Sequence, residues 1–302
     1  SYYFNLYLNL DTYYFTLIAS SILFITFFKF GKYDIKSNIF QRVLTIFLGY
    51  LLIPLVLSIP FYFSIYNLTF SNSFFEAISG FTSTGFTVFE NIKLIDQSLI
   101  IWRSSTQWIG GLYFLFSIIY LIDIYDDSFK KTLTNFISFN SSEILKQAAK
   151  IFILYSSLTI LIFMILNIFS IRTFDSLNLA LTIISSGGFL PVNELSTIIK
   201  ENAQIIVFSL LMLVSFFSLF FSYNLIFLRK KNINFFYEDL HLFVYLVIVT
   251  TIFFLFFSFN YDFLINLFAI ISSMSNIGFS LNSGQENLNF IYLILVIIGG
   301  SF

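Results

Sequence analysis

Long apolar runs decide what solvent this chain can fold in. A helix rises about 1.5 Å per residue, so roughly 20 mostly apolar residues are needed to cross a hydrocarbon core of about 30 Å. Six stretches qualify: approximately Tyr13–Phe28, Val43–Tyr66, Leu99–Ile122, Ile151–Ser170, Gln204–Leu228 and His241–Phe259, the first a little short, and a seventh opens near Leu288. Only 10% of the residues are charged and 58% are hydrophobic, against about 25% charged in an ordinary soluble domain. The chain is read as an all-α integral membrane protein. Its 45 Phe and 18 Tyr are read as lipid-facing and interfacial side chains rather than a cofactor site. With no cysteine, disulfides, thiolate metal sites and cysteine nucleophiles drop out, and the redox compartment stays open. Ser1 stands directly before apolar sequence, without the charged start and cleavage site of a signal peptide, so further N-terminal sequence is expected.

Basic residues orient the spans, because Lys and Arg in short loops stay on the cytoplasmic side. Lys29, Lys32, Lys36 and Arg42 lie after the first span, Lys130, Lys131, Lys146 and Lys150 after the third, and Arg229, Lys230 and Lys231 after the fifth. The intervening connections hold Lys93, then Arg172 and Lys200, then no basic residue. Those connections are expected to face outward.

Each outward connection contains the same pattern. Aligned without gaps they read EAISGFTSTGF (76–86), LALTIISSGGF (179–189) and AIISSMSNIGF (269–279), and each fits [ST]-x-x-[ST]-x-x-G-F. A single octad of this kind is what close helix packing alone produces, since small residues are common where membrane helices meet. Three in phase, on one side and each between two spans, point to a multiplied structural unit. The half-apolar run before each octad, such as Ser73–Thr84, makes a helix of only about 18 Å, too short to cross. It must enter and return, giving a unit of span, re-entrant helix, irregular loop and span.

Irregular backbone at membrane depth is tolerated only when it is buried in protein or lines a watery cavity. Carbonyl oxygens, helped by Ser and Thr hydroxyls, can there replace the water shell of a cation. Glycine permits the left-handed angles that aim successive carbonyls, the Phe after it is expected to pack behind the loop, and the C-terminal ends of the short helices favour positive charge. Hydroxyls and carbonyls without a carboxylate cluster suit an alkali cation better than calcium or magnesium. The candidate ion-binding residues are Thr82, Ser83, Thr84 and Gly85, then Ser185, Ser186, Gly187 and Gly188, then Ser275, Asn276, Ile277 and Gly278.

The runs LIPLVLSIPFYFS, FFEAISGFTSTGFTV and WRSSTQWIGGLYF closely resemble the first repeat of the Trk/Ktr/HKT potassium transporters, and in particular the bacterial Trk-type membrane subunit. SSGGF (185–189) resembles that family's second filter loop, SNIGFS (275–280) its third, and VIIGGS (296–301) the start of the glycine-rich stretch in the second helix of its third repeat. The resemblance runs from about Phe40 onward, with Tyr13–Phe28 similar to the extra helix before the first repeat. It implies span–pore helix–span repeats around a pseudo-fourfold axis, three of them at least partly present, divided as 1–38 (extra helix and cytoplasmic loop), 39–125, 126–232 and 233–302. It further implies a gate at Gly299, Gly300 and Ser301, a bacterial inner-membrane location, a homodimer, and a cytoplasmic nucleotide-binding regulatory partner. The sequence in hand stops before a fourth repeat, so either it is a fragment, the favoured expectation, or a partner supplies the rest. Asn276 and Ile277 depart from the Thr or Ser and small residue frequent in the family, which leaves potassium-over-sodium selectivity open.

Gln107, Gly110 and Gly111 are expected to support the filter by letting their span approach the re-entrant helix. Arg103 is read as an interfacial anchor at the edge of a span, and Glu76 as a carboxylate opening the first pore helix. His241, alone, is no metal site. The expected function is potassium, or monovalent cation, uptake with potassium as the transported ligand and no cofactor. The alternative is a secondary transporter coupled to a sodium or proton gradient. Neither an enzyme nor a nucleic-acid binder is expected; membrane lipid is the expected surrounding partner.

Overall fold

The computed structural model describes residues 9–31, 39–122, 144–216 and 263–281, with 244, 247, 248, 251 and 296. Most of the sixth span, the seventh span, the gate residues Gly299, Gly300 and Ser301, His241 and several of the basic loop residues lie outside these. The described residues form helices and connecting turns: α1 (Leu10–Phe30), α2 (Ile39–Leu57), α3 (Ile59–Tyr62), α4 (Phe70–Phe81), α5 (Gln97–Ile122), α6 (Ile144–Ile168), α7 (Thr173–Ile184), α8 (Asn202–Phe216) and α9 (Phe263–Met274), with short 3-10 turns at Ile92–Leu94 and Leu195–Thr197. The chain divides into two compact units, 1–153 and 154–302.

Among the described residues, three segments are long and apolar enough to cross a membrane: Leu10–Phe30, Phe40–Tyr62 and Ala148–Ile168. Burial in α1 is inverted relative to a water-soluble helix. It buries Thr12 and Thr16 and exposes Phe15, Phe24 and Phe28. In water each such exposed side chain forgoes about 1.5–3 kcal/mol of burial, whereas lipid tails make the outward arrangement cost-free. The threonine hydroxyls meanwhile donate to the carbonyls of Asn9 and Thr12 at 2.7 and 2.8 Å.

In the first unit α4 packs against α2 and α5. At its C-terminal end Phe81 meets Tyr50 and Tyr113 at ring distances of 5.5 and 5.3 Å, and those two rings lie 5.1 Å apart edge-on. The Tyr113 hydroxyl donates to the Ile46 carbonyl at 3.0 Å, so the aromatic cluster also has its polar tip satisfied. α2 ends where Ser58 separates it from α3, four residues after Pro54, and the Trp102 indole donates to the Leu57 carbonyl at 3.0 Å beside that break. Ahead of α5, Asp96 accepts from the Leu99 N–H and from the hydroxyls of Ser98 and Tyr66. Asn9 joins the same carboxylate at 2.9 Å and accepts from the Ile65 N–H at 3.2 Å, tying the start of α1 to the entry of α5.

In the second unit α9 packs against α8, with Phe208 lying 5.8 Å from both Phe268 and Phe279. Gln204 accepts from the N–H groups of Lys200 and Glu201 and donates to the Phe169 carbonyl, joining the turn after α6 to the start of α8.

Helices α4, α7 and α9 each have 12 residues, about 18 Å of rise, and cannot cross alone. The first begins and ends three residues earlier than the sequence pattern places it. Thr69 takes extended angles and accepts from the Asn72 N–H, which starts the helix at Phe70. A left-handed residue at Ser83 ends it.

Candidate functional site

The three octads are helix-terminating sequences. After α4 the Ser83 N–H donates to the Gly80 carbonyl and the Thr84 N–H to the Ser79 carbonyl, both at 2.9 Å. After α7 the corresponding bonds run from Ser186 to Ile183 at 3.1 Å and from Gly187 to Thr182 at 2.9 Å; after α9, from Asn276 to Ser273 at 3.2 Å and from Ile277 to Ser272 at 3.1 Å. This nested pair is the Schellman arrangement, in which the left-handed residue is usually glycine and sometimes asparagine. Here it is Ser83, Ser186 and Asn276, with φ of 55°, 51° and 56°. Thr84, Gly187 and Ile277 return to negative φ, and the glycines Gly85, Gly188 and Gly278 are left-handed again at 81°, 80° and 76°.

Those bonds determine where the carbonyls point. The peptide group is planar and trans, so each C=O opposes the N–H of the next residue. With the N–H groups of Ser83 and Thr84 turned back to the helix end, and that of Gly85 lying 3.5 Å from the Ser79 carbonyl, the carbonyls of Thr82, Ser83 and Thr84 point away from it. The same holds for Ser185 and Ser186, and for Ser275, Asn276 and Ile277, where the Gly278 N–H lies 3.4 Å from the Ser272 carbonyl. In the first loop, no described residue donates to the carbonyls of Thr82, Ser83, Thr84 or Gly85. Alternation of negative and positive φ thus turns successive main-chain oxygens away from the helix end, in a segment that carries no charged side chain.

The paired hydroxyls serve mainly to end the helices. Thr82 Oγ1 donates to the Ile78 carbonyl at 2.7 Å and pairs with Thr84 Oγ1 at 2.7 Å. Ser185 Oγ donates to Leu181 and Thr182, and Ser275 Oγ to Ser272. Ser79 Oγ reaches forward to the Phe86 carbonyl at 2.6 Å. Its counterparts Thr182 and Ser272 are buried with their hydroxyls unpartnered.

Two expectations about charge are corrected. Glu76 does not open α4; it is the seventh residue of that helix and fully buried, and Thr69 does the capping. Arg103 is not an interfacial anchor; it is 1% exposed, and its Nε lies 2.7 Å from Glu76 Oε1. The Glu76 carboxylate also accepts from the Thr87 hydroxyl at 3.0 Å and the Val88 N–H at 2.9 Å, while Arg103 Nη2 donates to Thr87 Oγ1 at 3.0 Å. The guanidinium sits over the Phe89 ring, 5.6 Å from its centroid. The sequence contains a clue to this pairing: one carboxylate within a half-apolar helix and one guanidinium within an apolar span, neither with an opposite charge nearby on its own helix.

The Phe of each octad also divides. Phe189 and Phe279 are buried behind their loops as expected, at 1% and 4% exposure, whereas Phe86 is 69% exposed. Its side chain finds no wall within the first unit. Gly110 behaves as expected of a close-packing residue: a Cβ there would overlap the Phe81 carbonyl oxygen and lie 2.6 Å from its carbon, so the glycine brings α5 against the end of α4. Gln107 is fully buried on the same helix and Gly111 half-buried.

Long apolar helices, one of them with inverted burial, define an integral membrane protein. No protein-family model matches the chain. It is 26% identical over 268 residues to an uncharacterized cation transporter of Methanocaldococcus jannaschii, covering 84% of this chain and 53% of that protein. It is 24% identical over 251 residues to the Trk system potassium uptake protein TrkH of Halomonas elongata, covering 76% and 51%. Its fold matches the crystal structure of the potassium transporter TrkH from Vibrio parahaemolyticus with a TM-score of 0.73 at 17% identity, over 88% of this chain and 57% of that one. The chain is a distant homologue of the Trk-type transporter membrane subunits over most of its length. It spans about half the length of the curated relatives it matches.

Proposed function

We propose that this chain supplies three of the loops of a potassium-conducting pathway, in which dehydrated monovalent cations pass main-chain carbonyls of residues 82–85, 185–188 and 275–278. The observation that carries the reading is the repeated loop backbone: three helix ends with the same pair of left-handed residues, each turning its N–H groups inward and its carbonyls outward. Peptide oxygens presented this way can substitute for an ion's hydration shell, and the relatives' names, a cation transporter and potassium uptake proteins, agree with it.

Gln107, Gly110 and Gly111 support the first loop from α5 in this reading, and Gly299, Gly300 and Ser301 form the gate, the latter on family resemblance alone. A pseudo-fourfold arrangement of the repeats is what the family resemblance implies. The loops open to the outside of a bacterial inner membrane, as the basic connections favour, and a homodimer with a nucleotide-binding regulatory partner is the assembly the resemblance implies.

The test is uptake of radioactive rubidium by lipid vesicles carrying the full-length protein. Uptake down an imposed potassium gradient, competed by potassium, is the expected result. Uptake no greater than in empty vesicles overturns the reading, and uptake that requires a sodium or proton gradient replaces it with coupled transport.

A further inference from the structure

We propose that Glu76 and Arg103 are positioning residues for the first loop, a charge-neutral brace that fixes its exit and thereby sets its discrimination among cations. The proposal rests on the pore reading above and adds a device whose carboxylate has no counterpart at the aligned positions of the other two octads. Residues 82–85 are held at their entrance by the bonds that end α4. At their exit, Ser79 Oγ holds the Phe86 carbonyl, the Glu76 carboxylate holds the Thr87 hydroxyl and the Val88 N–H, and Arg103 holds both Glu76 and Thr87. Thus the two residues after Phe86 are fastened to α4 and to α5 together.

The aligned positions in the other octads are Leu179, fully buried, and Ala269, neither of which has a side chain able to accept a hydrogen bond. Those loops are backed instead by Phe189 and by Phe279, the latter against Phe208. Phe86 makes no such anchor within its own unit. Charge-assisted hydrogen bonds are directional and short, so they fix a strained backbone with a definition that an exposed ring cannot provide, and a coordinating shell functions only when its supporting shell holds it.

Positioning and a simple electrostatic field make opposite predictions. Removing Arg103 leaves a carboxylate near the path, and removing Glu76 leaves a guanidinium; a field effect would therefore raise cation flux in one variant and lower it in the other. Loss of positioning changes selectivity in the same direction in both. The experiment compares rubidium with sodium uptake, per molecule of folded protein, in vesicles carrying full-length wild type, Glu76→Gln, Glu76→Asp, Arg103→Met and, as a control at the exposed partner of the Arg172–Asp175 pair, Arg172→Gln. The rubidium-to-sodium ratio is expected to fall about tenfold in both Glu76→Gln and Arg103→Met. In Glu76→Asp, whose shorter side chain cannot span all the partners, it is expected to fall as well, and Arg172→Gln is expected to match wild type.

Amide hydrogen exchange, read without any transport, is expected to speed up across 82–89 in Glu76→Gln and stay unchanged across 185–190. A conducting wild type with unaltered ratios in the Glu76 and Arg103 variants, or ratios moving in opposite directions, overturns the brace and leaves the pore reading standing. A wild type that takes up no rubidium overturns the pore reading and the selectivity role together. Unchanged exchange across 82–89 overturns the brace even then.

Discussion

Vesicles carrying the full-length protein with Gly188→Val are expected to take up rubidium no faster than empty vesicles, and Gly85→Val is expected to do the same. Both glycines hold φ near +80°, in the region where an L-residue brings its Cβ too close to the backbone. That conformation costs about 1–2 kcal/mol for an ordinary residue, and a β-branched side chain there is a genuine outlier. Each 1.4 kcal/mol is a factor of ten in population. The loop therefore leaves the conformation that turns its carbonyls outward, although the helix before it is untouched. Gly278 separates backbone strain from crowding, because a Cβ there meets nothing within 4 Å while φ is +76°. Gly278→Asn, a residue that tolerates left-handed angles, is expected to retain most of the uptake and Gly278→Val to lose it. Full uptake by Gly188→Val, with the protein present in normal amount, would remove the main reason for placing coordination at these backbones.

Gly110→Val is expected to act through packing. Even the first carbon of a side chain overlaps the Phe81 carbonyl oxygen and approaches the carbon and Cα of Phe81 to 2.6 and 2.8 Å. These are backbone atoms at the end of α4 and cannot swing away. Overpacking of this kind costs about 1–3 kcal/mol and occasionally more, so thermal unfolding in detergent should show a clear loss of stability already for Gly110→Ala and a larger one for Gly110→Val. Rubidium uptake should fall with it, since Phe81 is the last residue before the first loop. A valine variant as stable as wild type would mean that α5 does not rest on the end of α4.

The parts legible in the sequence are those that leave a periodic or local trace. Apolar runs located α1 and α5 to within three residues at each end and marked α2, α6 and the start of α8, although α2 runs Ile39–Leu57 rather than Val43–Tyr66 and α6 opens seven residues before Ile151; the octads located the three short helices because a helix end of this type is encoded in eight consecutive residues. Spacing alone did not tell which hydroxyls would face the chain's own carbonyls, since Thr82, Ser185 and Ser275 all bond backward into their helices. Asn276, a departure from the family pattern when taken as a coordinating side chain, occupies the left-handed position of its loop at φ 56°, where asparagine is well suited. The Glu76–Arg103 pair was illegible for another reason. The partners are 27 positions apart, and each taken singly fits a common surface role that only tertiary contact overrules.

Thr-Ser-Thr, Ser-Ser-Gly and Ser-Asn-Ile adopt one backbone at residues 82–84, 185–187 and 275–277. When a duplicated segment does its work with peptide oxygens, its side chains are released from the chemistry and constrained only by the fold around them. Copies can then drift apart in composition and become unequal in how they are held, one by charge and others by aromatic packing. Under the pore reading, repeats can in this way diverge in sequence while offering an ion the same main-chain atoms.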